Sequence, residues 1–427
     1  MDMPITDYLD EILDEVRDND NGEVADYIPE LAAANPDRLA VSLCTTGGHM
    51  YSTGDDDIEF TIQSISKPFA YAIALQELGI AEVTKVVGME PSGEAFNELS
   101  LDKDTNRPMN PMINAGAIAV NQLINGSDSS VEERVDRIVD WFSRLAGREL
   151  QVDEEFCQSE IATADRNLSI AYMLRNYGII QDDAQDAVLS YTRQCSILVT
   201  VRDLAMMAAT IANGGVNPVT EDHIFDPVVS RHAQAVMASA GMYNGAGRWL
   251  AAVGIPAKSG VSGGLIGTLP GQIGMATFSP RLDGQGNSFR GVEIFTILSE
   301  VMGMHLMNNT GRVNRAVRNW NSENGSTIIQ LQGAIDFRAS ENILRGAIQE
   351  DLEKRVVLDL DRVSGFNRVG RRIILEGLRR LTMDGHATAL FDPDNVLPDP
   401  DLGDGTYPEM LTEKPFVTSY EMEVDTP

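Results

Sequence analysis

The sequence predicts an α+β protein in two parts: a large α+β domain with a helical subdomain, and a smaller α/β domain near the carboxyl end. Three observations predict it. Strand-like apolar runs occur before residue 66, return after about residue 254, and are separated by a helical stretch. Beyond residue 327, strand and helix patterns alternate. The 427 residues are enough for two or three domains with full hydrophobic cores.

The amino-terminal part begins with a helix, which short strands follow. Residues 6–18 carry acidic and apolar side chains at helical spacing. Apolar runs predict strands at 39–44 and 60–65, and the glycines at 47–48 can turn the first of them into a hairpin. The strongly apolar segment 69–78 predicts a buried helix.

The middle of the chain is helical, and strands return after it. Three segments show helical spacing: 131–145, 168–177 and 201–212. Later patterns indicate strands at 273–278 and 291–295 and a helix over 296–307. The helical segments thus interrupt a set of strands, which predicts one domain over residues 1–318.

The carboxyl-terminal part follows a polar, turn-rich segment at 319–327, where we predict a linker. Five segments then alternate between strand and helix: 328–337, 339–354, 355–360, 369–383 and 387–391. This alternation predicts a second domain over 328–427, with a small, mostly parallel sheet covered by helices. The acidic, Pro-rich tail from residue 392 is predicted to be irregular.

The charge balance argues against polyanionic partners. The chain has 33 Lys+Arg and 64 Asp+Glu, a net charge of −31. Such a field repels phosphate backbones and anionic lipid, so we expect neither nucleic acid nor membrane as a partner. Two origins of the acidity stay open: a solvated surface that keeps the protein soluble, and adaptation to high salt, which would predict activity in molar NaCl.

Other features of the composition favour a cytoplasmic protein without a metal or other cofactor. The first residues lack the basic and apolar regions of a signal peptide, and no apolar run is long enough to span a bilayer. Three scattered cysteines suit neither a disulfide framework nor a zinc site. The five histidines show no metal-ligand spacing.

A Ser-x-x-Lys pattern is the first sign of chemistry. Ser64 and Lys67 stand directly before the apolar helix, and at this spacing their side chains project to the same side of a helical turn. A lysine whose pKa is lowered by desolvation can take the serine proton. The pattern occurs in β-lactamases and penicillin-binding proteins, but Ser64 could equally be a helix N-cap, so both interpretations stay open here.

A second motif downstream favours catalysis. Lys258-Ser259-Gly260 precedes a strand, and such a triplet lines the site opposite the nucleophile in acyl-serine enzymes. Glycines let a strand backbone approach a substrate, and the backbone N–H of Val261 can supply half an oxyanion hole. The Ser-x-Asn or Tyr-x-Asn triplet of penicillin-recognising enzymes is not found between the two motifs.

The chain resembles the serine-dependent glutaminase family, in the family's own order, from about residue 26 to 307. Eight segments carry the resemblance: 25–29, 63–68, 110–117, 159–160, 165–167, 191–196, 242–243 and 257–264. It implies a β-lactamase-like fold, in which helices flank an antiparallel sheet. It also implies an amidohydrolase that converts L-glutamine to L-glutamate and ammonia, and a homo-oligomer, either a dimer or a tetramer.

The resemblance assigns roles to individual residues. Ser64 matches the nucleophile, Lys67 its general base, and Tyr243 a group that can relay protons. Besides Ser64, seven positions match residues that contact substrate: Tyr27, Asn114, Glu160, Asn167, Tyr191, Tyr243 and Val261. The backbone N–H groups of Ser64 and Val261 would form the oxyanion hole. The chemistry agrees, because one carboxylate suits the ammonium of glutamine, and Asn and Tyr donors suit its carboxylate.

Residues 328 to about 420 resemble a STAS domain, through segments 330–337 and 356–363 and the helix from Gly370. Phosphorylatable members begin this second helix with a serine. Segment 366–370 contains none, so we expect no phosphorylation switch. A regulatory or assembly module and a fused stabilising domain both stay open.

Two other functions serve as alternatives. A penicillin-recognising hydrolase of cell-wall peptides would be expected to carry a signal peptide and the middle triplet. A regulator that acts through the STAS-like domain would need no active site, yet Ser64, Lys67 and Glu160 are all intact.

Overall fold

The computed structural model describes residues 3–92, 98–307, 316–323 and 325–415. They form two compact units. Of these residues, the larger unit contains 8–92, 98–299 and 304–306, and the smaller contains 3–7, 300–303, 307, 316–323 and 325–415. Within the described residues, no helix is long and apolar enough to cross a membrane.

The larger unit is built on a five-stranded antiparallel sheet. The strands of this sheet are β1 (Ala40–Thr45), β2 (Met50–Gly54), β5 (Ala257–Ser259), β6 (Gly264–Leu269) and β7 (Ile273–Phe278). Two further strands, β3 (Phe60–Thr61) and β4 (Leu198–Val199), form a separate pair. The order is β2-β1-β7-β6-β5, and β1 pairs with β7 from Ala40↔Phe278 onward. The sheet therefore joins chain from both sides of the helical segments, which confirms the predicted mixture of an antiparallel sheet and helices.

Helices cover this sheet and fill the middle of the chain. They are α1 (Ile5–Arg17), α2 (Pro29–Ala32), α3 (Ser66–Leu78), α4 (Ile80–Val86), α5 (Asn114–Asn121), α6 (Val131–Ala146), α7 (Glu154–Ala162), α8 (Asp165–Asn176), α9 (Ala184–Cys195), α10 (Val201–Ala212), α11 (Pro227–Ala240), α12 (Ala246–Ala252) and α13 (Phe289–Met302). Short 3-10 helices cover Gln63–Ile65 and Tyr243–Gly245. The residues of β1, β6 and β7 are all buried, so these strands are covered on both faces and show no alternation of buried and exposed residues.

Most predicted helices and strands agree with the structure, but of the strand predicted at 60–65 only Phe60–Thr61 forms, since Gln63–Ile65 is a 3-10 helix, and a second error lies near residue 291. The strand predicted at 291–295 is wrong, because these residues lie inside α13, and the helix predicted over 296–307 ends at Met302. Ile294, Phe295 and Leu298 are fully buried, and their spacing is that of a helix face. The main elements not predicted are α7, α9, α11 and β6.

Helix α10 lies directly on strand β7, and Gly274 makes that approach possible. A Cβ atom added at Gly274 would lie 2.0 Å from the backbone nitrogen of Ala209. We expect Gly274→Ala to lower the free energy of unfolding by at least about 2 kcal/mol, because backbone must move to admit the methyl group. Urea unfolding measures this. Gly284→Ala is the control, since an added Cβ there meets nothing within 4 Å, and equal stability of the two variants would contradict the packing argument.

The smaller unit has one five-stranded sheet and two long helices. Its elements are β8 (Val317–Glu323), β9 (Ser326–Ile335), α14 (Phe337–Gln349), β10 (Arg355–Phe366), α15 (Arg368–Met383), β11 (Ala387–Phe391) and β12 (Glu409–Met410). Strands β9 to β12 pair in parallel and β8 is antiparallel to β9, as predicted for a mostly parallel sheet.

Two local predictions for this region need correction. Residues 319–327, predicted as a linker, lie almost entirely in the β8–β9 hairpin, because polar side chains also suit an edge strand. The tail contributes the short strand β12, and its residues 416–427 lie outside the described part of the chain.

Candidate active site

A cavity of 330 Å³ in the larger unit brings together most of the predicted site residues. Seven of them line it: Tyr27, Ser64, Asn114, Glu160, Asn167, Tyr191 and Val261. Six further residues complete the lining: Gln63, Thr163, Ala164, Arg166, Thr192 and Cys195. The volume suits a small metabolite. The described residues contain no group of three or more His, Cys, Asp or Glu side chains arranged to hold a metal ion.

Ser64 lies in a tight turn ahead of α3. It is 7% exposed, and Gln63 before it has a φ of 52°, a conformation that costs energy for a residue with a side chain. Buried hydrogen bonds hold the turn: Ser66 Oγ donates to the Gln63 carbonyl at 2.7 Å, and Gln194 Nε2 donates to Ser66 Oγ at 2.9 Å. The backbone around Ser64 is therefore fixed before any substrate binds.

Lys67 follows Ser64 by one helical turn and is 1% exposed. Its Nζ donates to Asn114 Oδ1 at 2.7 Å and to the Met112 carbonyl at 3.3 Å. Burial lowers the pKa of Lys67 to about 8, partly opposed by Cys195. A substantial fraction of Lys67 is therefore a neutral amine near physiological pH, which is the form that can accept a proton.

Tyr243 approaches Ser64 from a second 3-10 helix. Its hydroxyl hydrogen-bonds the Ser64 side chain and also donates to the Ser259 carbonyl at 3.2 Å. Burial raises the pKa of Tyr243, so the phenol stays protonated. Lys258 Nζ donates to the same Ser259 carbonyl at 2.6 Å and lies 4.2 Å from the centre of the Tyr243 ring. Burial, with the charge of Lys67, lowers the pKa of Lys258.

Glu160 supplies a carboxylate at another part of the cavity. Its Oε1 accepts from Tyr27 Oη at 2.9 Å and from Gln63 Nε2 at 3.1 Å. Burial raises the pKa of Glu160, and these two hydrogen bonds oppose the rise. Tyr27 itself is 47% exposed, so it stands where the cavity meets solvent.

Asparagine and tyrosine side chains connect the lysine to the rest of the cavity. Asn114, at the start of α5, accepts from Lys67 and donates its Nδ2 to Asn167 Oδ1 at 3.0 Å. Tyr191 Oη lies 3.5 Å from Asn114 Oδ1. Burial raises the pKa of Tyr191 well above its usual value, so its hydroxyl remains a donor.

The end of strand β5 comes close to the serine turn. A Cβ atom at Gly260 would lie 3.2 Å from both the Ile62 carbonyl oxygen and Ile65 Cγ1. Only a residue without a side chain fits this approach easily, and it carries Val261 to the cavity wall. The downstream triplet and the Ser-x-x-Lys pattern, far apart in sequence, thus meet at one site.

Two of the lining residues, Gln63 and Cys195, were not predicted as site residues. Gln63 lies in segment 63–68 and Cys195 in segment 191–196, so their position inside these motifs was the signal that could have identified them. Tyr243 contacts the Ser64 side chain and Lys67 follows Ser64 by one turn, although neither is part of the cavity lining.

Comparison with known proteins identifies the family of the chain. The Glutaminase family model matches residues 22–307. The chain therefore belongs to the glutaminase family and is an enzyme of that activity, with glutamine as the implied substrate.

Similar proteins match over nearly the full length. A glutaminase of Corynebacterium glutamicum is 62% identical over 405 residues, covering 95% of this chain and 98% of the relative. A glutaminase of Corynebacterium efficiens is 61% identical, covering 95% and 96%. A solved structure described as a crystal structure analysis of Mglu has a TM-score of 0.72 and 50% identity, covering 93% of this chain and all of that one.

Proposed function

We propose that the chain hydrolyses L-glutamine through an acyl-enzyme on Ser64, with Lys67 as the general base. The observation that carries this proposal is the buried amine of Lys67, one turn from Ser64, with its pKa lowered to about 8. Ser64 Oγ attacks the side-chain carbonyl carbon while Lys67 takes the hydroxyl proton. The C–N bond then breaks, and the proton held by Lys67 passes to the departing nitrogen, so that ammonia leaves and Lys67 is again a neutral amine. Water, deprotonated by the same amine, cleaves the glutamyl ester to release glutamate.

Tyr243 is proposed as the relay for the leaving group. Its protonated hydroxyl touches the Ser64 side chain, which is where ammonia must gain a proton. The shared Ser259 carbonyl ties Tyr243 to Lys258, so the phenol is held in place during both steps.

The negative charge of the tetrahedral intermediate is proposed to lie against backbone N–H groups of Ser64 and Val261. Ser64 stands at the amino-terminal end of α3, where N–H groups point outward and the helix dipole favours negative charge. The close approach of Gly260 to the serine turn supports the contribution of Val261.

Substrate recognition is proposed to divide the cavity into two ends. Glu160 takes the α-ammonium, with Tyr27 beside it, and Asn114, Asn167 and Tyr191 take the α-carboxylate. Tyr27 and Gln63 both donate to Oε1 of Glu160, so we expect the ammonium at Oε2.

Glu160→Gln is expected to raise KM for L-glutamine by at least about 30-fold with a smaller effect on kcat, because a buried charge pair is lost. Steady-state ammonia release measures it. Glu155→Gln is the matched control: it removes the same charge from the same helix at an exposed position. An unchanged KM in Glu160→Gln would contradict the ammonium assignment.

The pH dependence of kcat/KM follows from Lys67. The base must be neutral, so activity is expected to rise by about tenfold per pH unit below the pKa and to level off above it. The midpoint should lie at about 8, the pKa that burial gives Lys67. Rates at constant ionic strength over the neutral and mildly alkaline range test this. A profile that is flat across that range would contradict Lys67 as the base.

The direct test of function is ammonia release from L-glutamine by wild-type and Ser64→Ala protein. L-Asparagine, one methylene shorter, is the comparison substrate, since the positions of Ser64 and Glu160 set the length that fits. Equal rates in the two proteins would contradict the mechanism.

The two parts of the fold are also proposed to have known relatives. The antiparallel sheet with flanking helices supports a β-lactamase-like domain, and the parallel strands β9 to β12 with α14 and α15 support a STAS-like domain. Asn367 caps α15 by accepting from the Gly370 N–H, and we propose that it stands where a phosphorylatable STAS domain would carry its serine.

A further inference from the structure

A second carboxylate, that of Glu30, lies beside the Glu160 end of the cavity. Glu30 belongs to α2, and its Oε1 accepts from Ser159 Oγ at 2.6 Å. Ser159 directly precedes Glu160 in α7, and Tyr27, three residues before Glu30, donates to Glu160 itself at 2.9 Å. The segment from Tyr27 to Glu30 is thus bound to α7 by two hydrogen bonds and brings a negative charge close to the one in the cavity.

We propose that Glu30 is a specificity-determining residue, which makes the ammonium end of the cavity doubly negative and so selects amides that carry a free α-ammonium. This inference rests on the proposed role of Glu160. Glu30 does not line the cavity, so it acts on the substrate through space rather than by contact.

The surroundings of Glu30 leave its charge effective. Its Oε2 is buried and has no hydrogen-bond partner within the described residues, so Ser159 is the donor that satisfies this carboxylate. Glu30 as a whole is half-buried, and a charge that is partly shielded from water is screened less than a fully exposed one. Burial is the main cause of the raised pKa of Glu160, and the charge of Glu30 adds to the rise, as expected for two carboxylates on segments that are hydrogen-bonded to each other.

The thiols and phenols that interact with Glu160 are neutral near physiological pH, and the guanidinium of Arg166, which also lines the cavity, is paired with Glu98 at 2.6 Å. Tyr27 and Gln63 donate hydrogen bonds to it, and Cys157, Tyr191 and Cys195 interact with its charge. Burial raises the pKa of each of these thiols and phenols, so they stay protonated. Removing the charge of Glu30 should therefore lower the pKa of Glu160.

Two effects of opposite sign follow for Glu30→Gln. Near pH 7.5 the ammonium loses one attraction, so KM for L-glutamine should rise roughly three- to tenfold with kcat changed by less than about twofold. In acid, the pKa of Glu160 should fall once its neighbour is neutral, so the pH at which KM begins to rise should move lower. A substitution that merely distorted the site would weaken binding at every pH. It would not raise KM near pH 7.5 and at the same time lower the pH at which KM begins to rise.

A ligand without the ammonium makes the test specific. 4-Carbamoylbutanoate is glutamine with hydrogen in place of the α-amino group, and its inhibition constant against L-glutamine hydrolysis can be measured in each variant. In Glu30→Gln this constant should stay the same or fall, because an anionic ligand no longer faces the second carboxylate. Glu155→Gln, an exposed change of the same charge on α7, should move neither constant.

Three results would overturn the inference. The first is that Glu30→Gln and Glu155→Gln have the same KM and inhibition constant. The second is that Glu30→Gln binds L-glutamine and 4-carbamoylbutanoate more weakly by the same factor. The third is that the pH at which KM begins to rise in acid is unchanged in Glu30→Gln. Glu160→Gln separates this inference from the function on which it rests: an unchanged KM there contradicts the role of Glu160, whereas a raised KM beside a silent Glu30→Gln overturns only the role of Glu30.

Discussion

Replacing Ser64 with alanine is expected to lower kcat for L-glutamine hydrolysis by at least about 10⁴-fold, because no acyl-enzyme can form without its hydroxyl. The protein should still fold, since Ser64 is a small residue and the turn around it is held by Ser66 and Gln194. Binding should survive as well, because the proposed contacts to the ammonium and carboxylate of glutamine come from other side chains.

The control for this variant is Ser169→Ala. Ser169 is exposed on α8, near the cavity residue Asn167, and its Oγ donates to the Asp165 carbonyl of its own helix at 2.9 Å. Its loss should leave kcat and KM unchanged. Removal of a nucleophile should leave about 10⁻⁴ of the wild-type kcat or less. A Ser64→Ala protein that retains a tenth or more of the wild-type kcat would therefore contradict the nucleophile assignment.

Replacing Lys67 with methionine is expected to have the second largest effect, a fall in kcat of about 10³-fold or more, because general base catalysis is lost. Methionine has a similar length and no charge to desolvate, which offsets the loss of the two hydrogen bonds that Lys67 donates, so the free energy of unfolding should change little. Burial lowers the pKa of Lys67 to about 8, which means that charging this amine costs free energy in the folded state. That cost applies as pH falls below the unfolded pKa, and methionine removes it.

The pH profile distinguishes loss of a base from loss of packing. The residual activity of Lys67→Met should no longer show the rise with a midpoint at about 8. Lys85→Met is the matched control, because Lys85 is exposed on α4 and paired with Glu82 at 2.7 Å. A Lys67→Met protein that keeps the same rise would show that another group titrates there.

The hydrophobic pattern of the sequence predicts the bounds of an element correctly where that element packs against a single apolar surface or is buried on both faces. Helix α10 and strand β11 begin and end where predicted, because α10 presents an apolar face to the sheet and β11 is a buried parallel strand. Segment 291–295 misled the prediction, because Val, Ile and Phe favour strands locally while the packing of Ile294 and Leu298 requires a helix.

Helix α9 shows why a helix beside an active site is hard to predict. Its buried residues include Tyr191, Gln194 and Cys195, so polar side chains stand where the helical pattern expects apolar ones. The same residues were recognised as a polar cluster for the same reason. The polar side chains that indicate a functional site here also hide the apolar spacing of a helix, so the site was predicted and the helix was missed.

Spacing alone could pair site residues only where they are neighbours in sequence, and the distant ones were assigned through the resemblance to the glutaminase family. Ser64 and Lys67 could be paired from their spacing, whereas Tyr27 and Glu160 are 133 residues apart and meet only in the fold. The positive φ of Gln63 and the position of Glu30 behind Ser159 depend on tertiary packing and leave no mark in a single sequence.

The central claim is a covalent glutamyl group on Ser64, and acid quenching during turnover of L-glutamine, followed by proteolysis and mass spectrometry, tests it most directly. We expect the peptide that contains Ser64 to gain the mass of one glutamyl group, and Ser64→Ala protein treated identically to gain none. Turnover at the wild-type rate by Ser64→Ala, or a glutamyl group on any other residue, would contradict the mechanism.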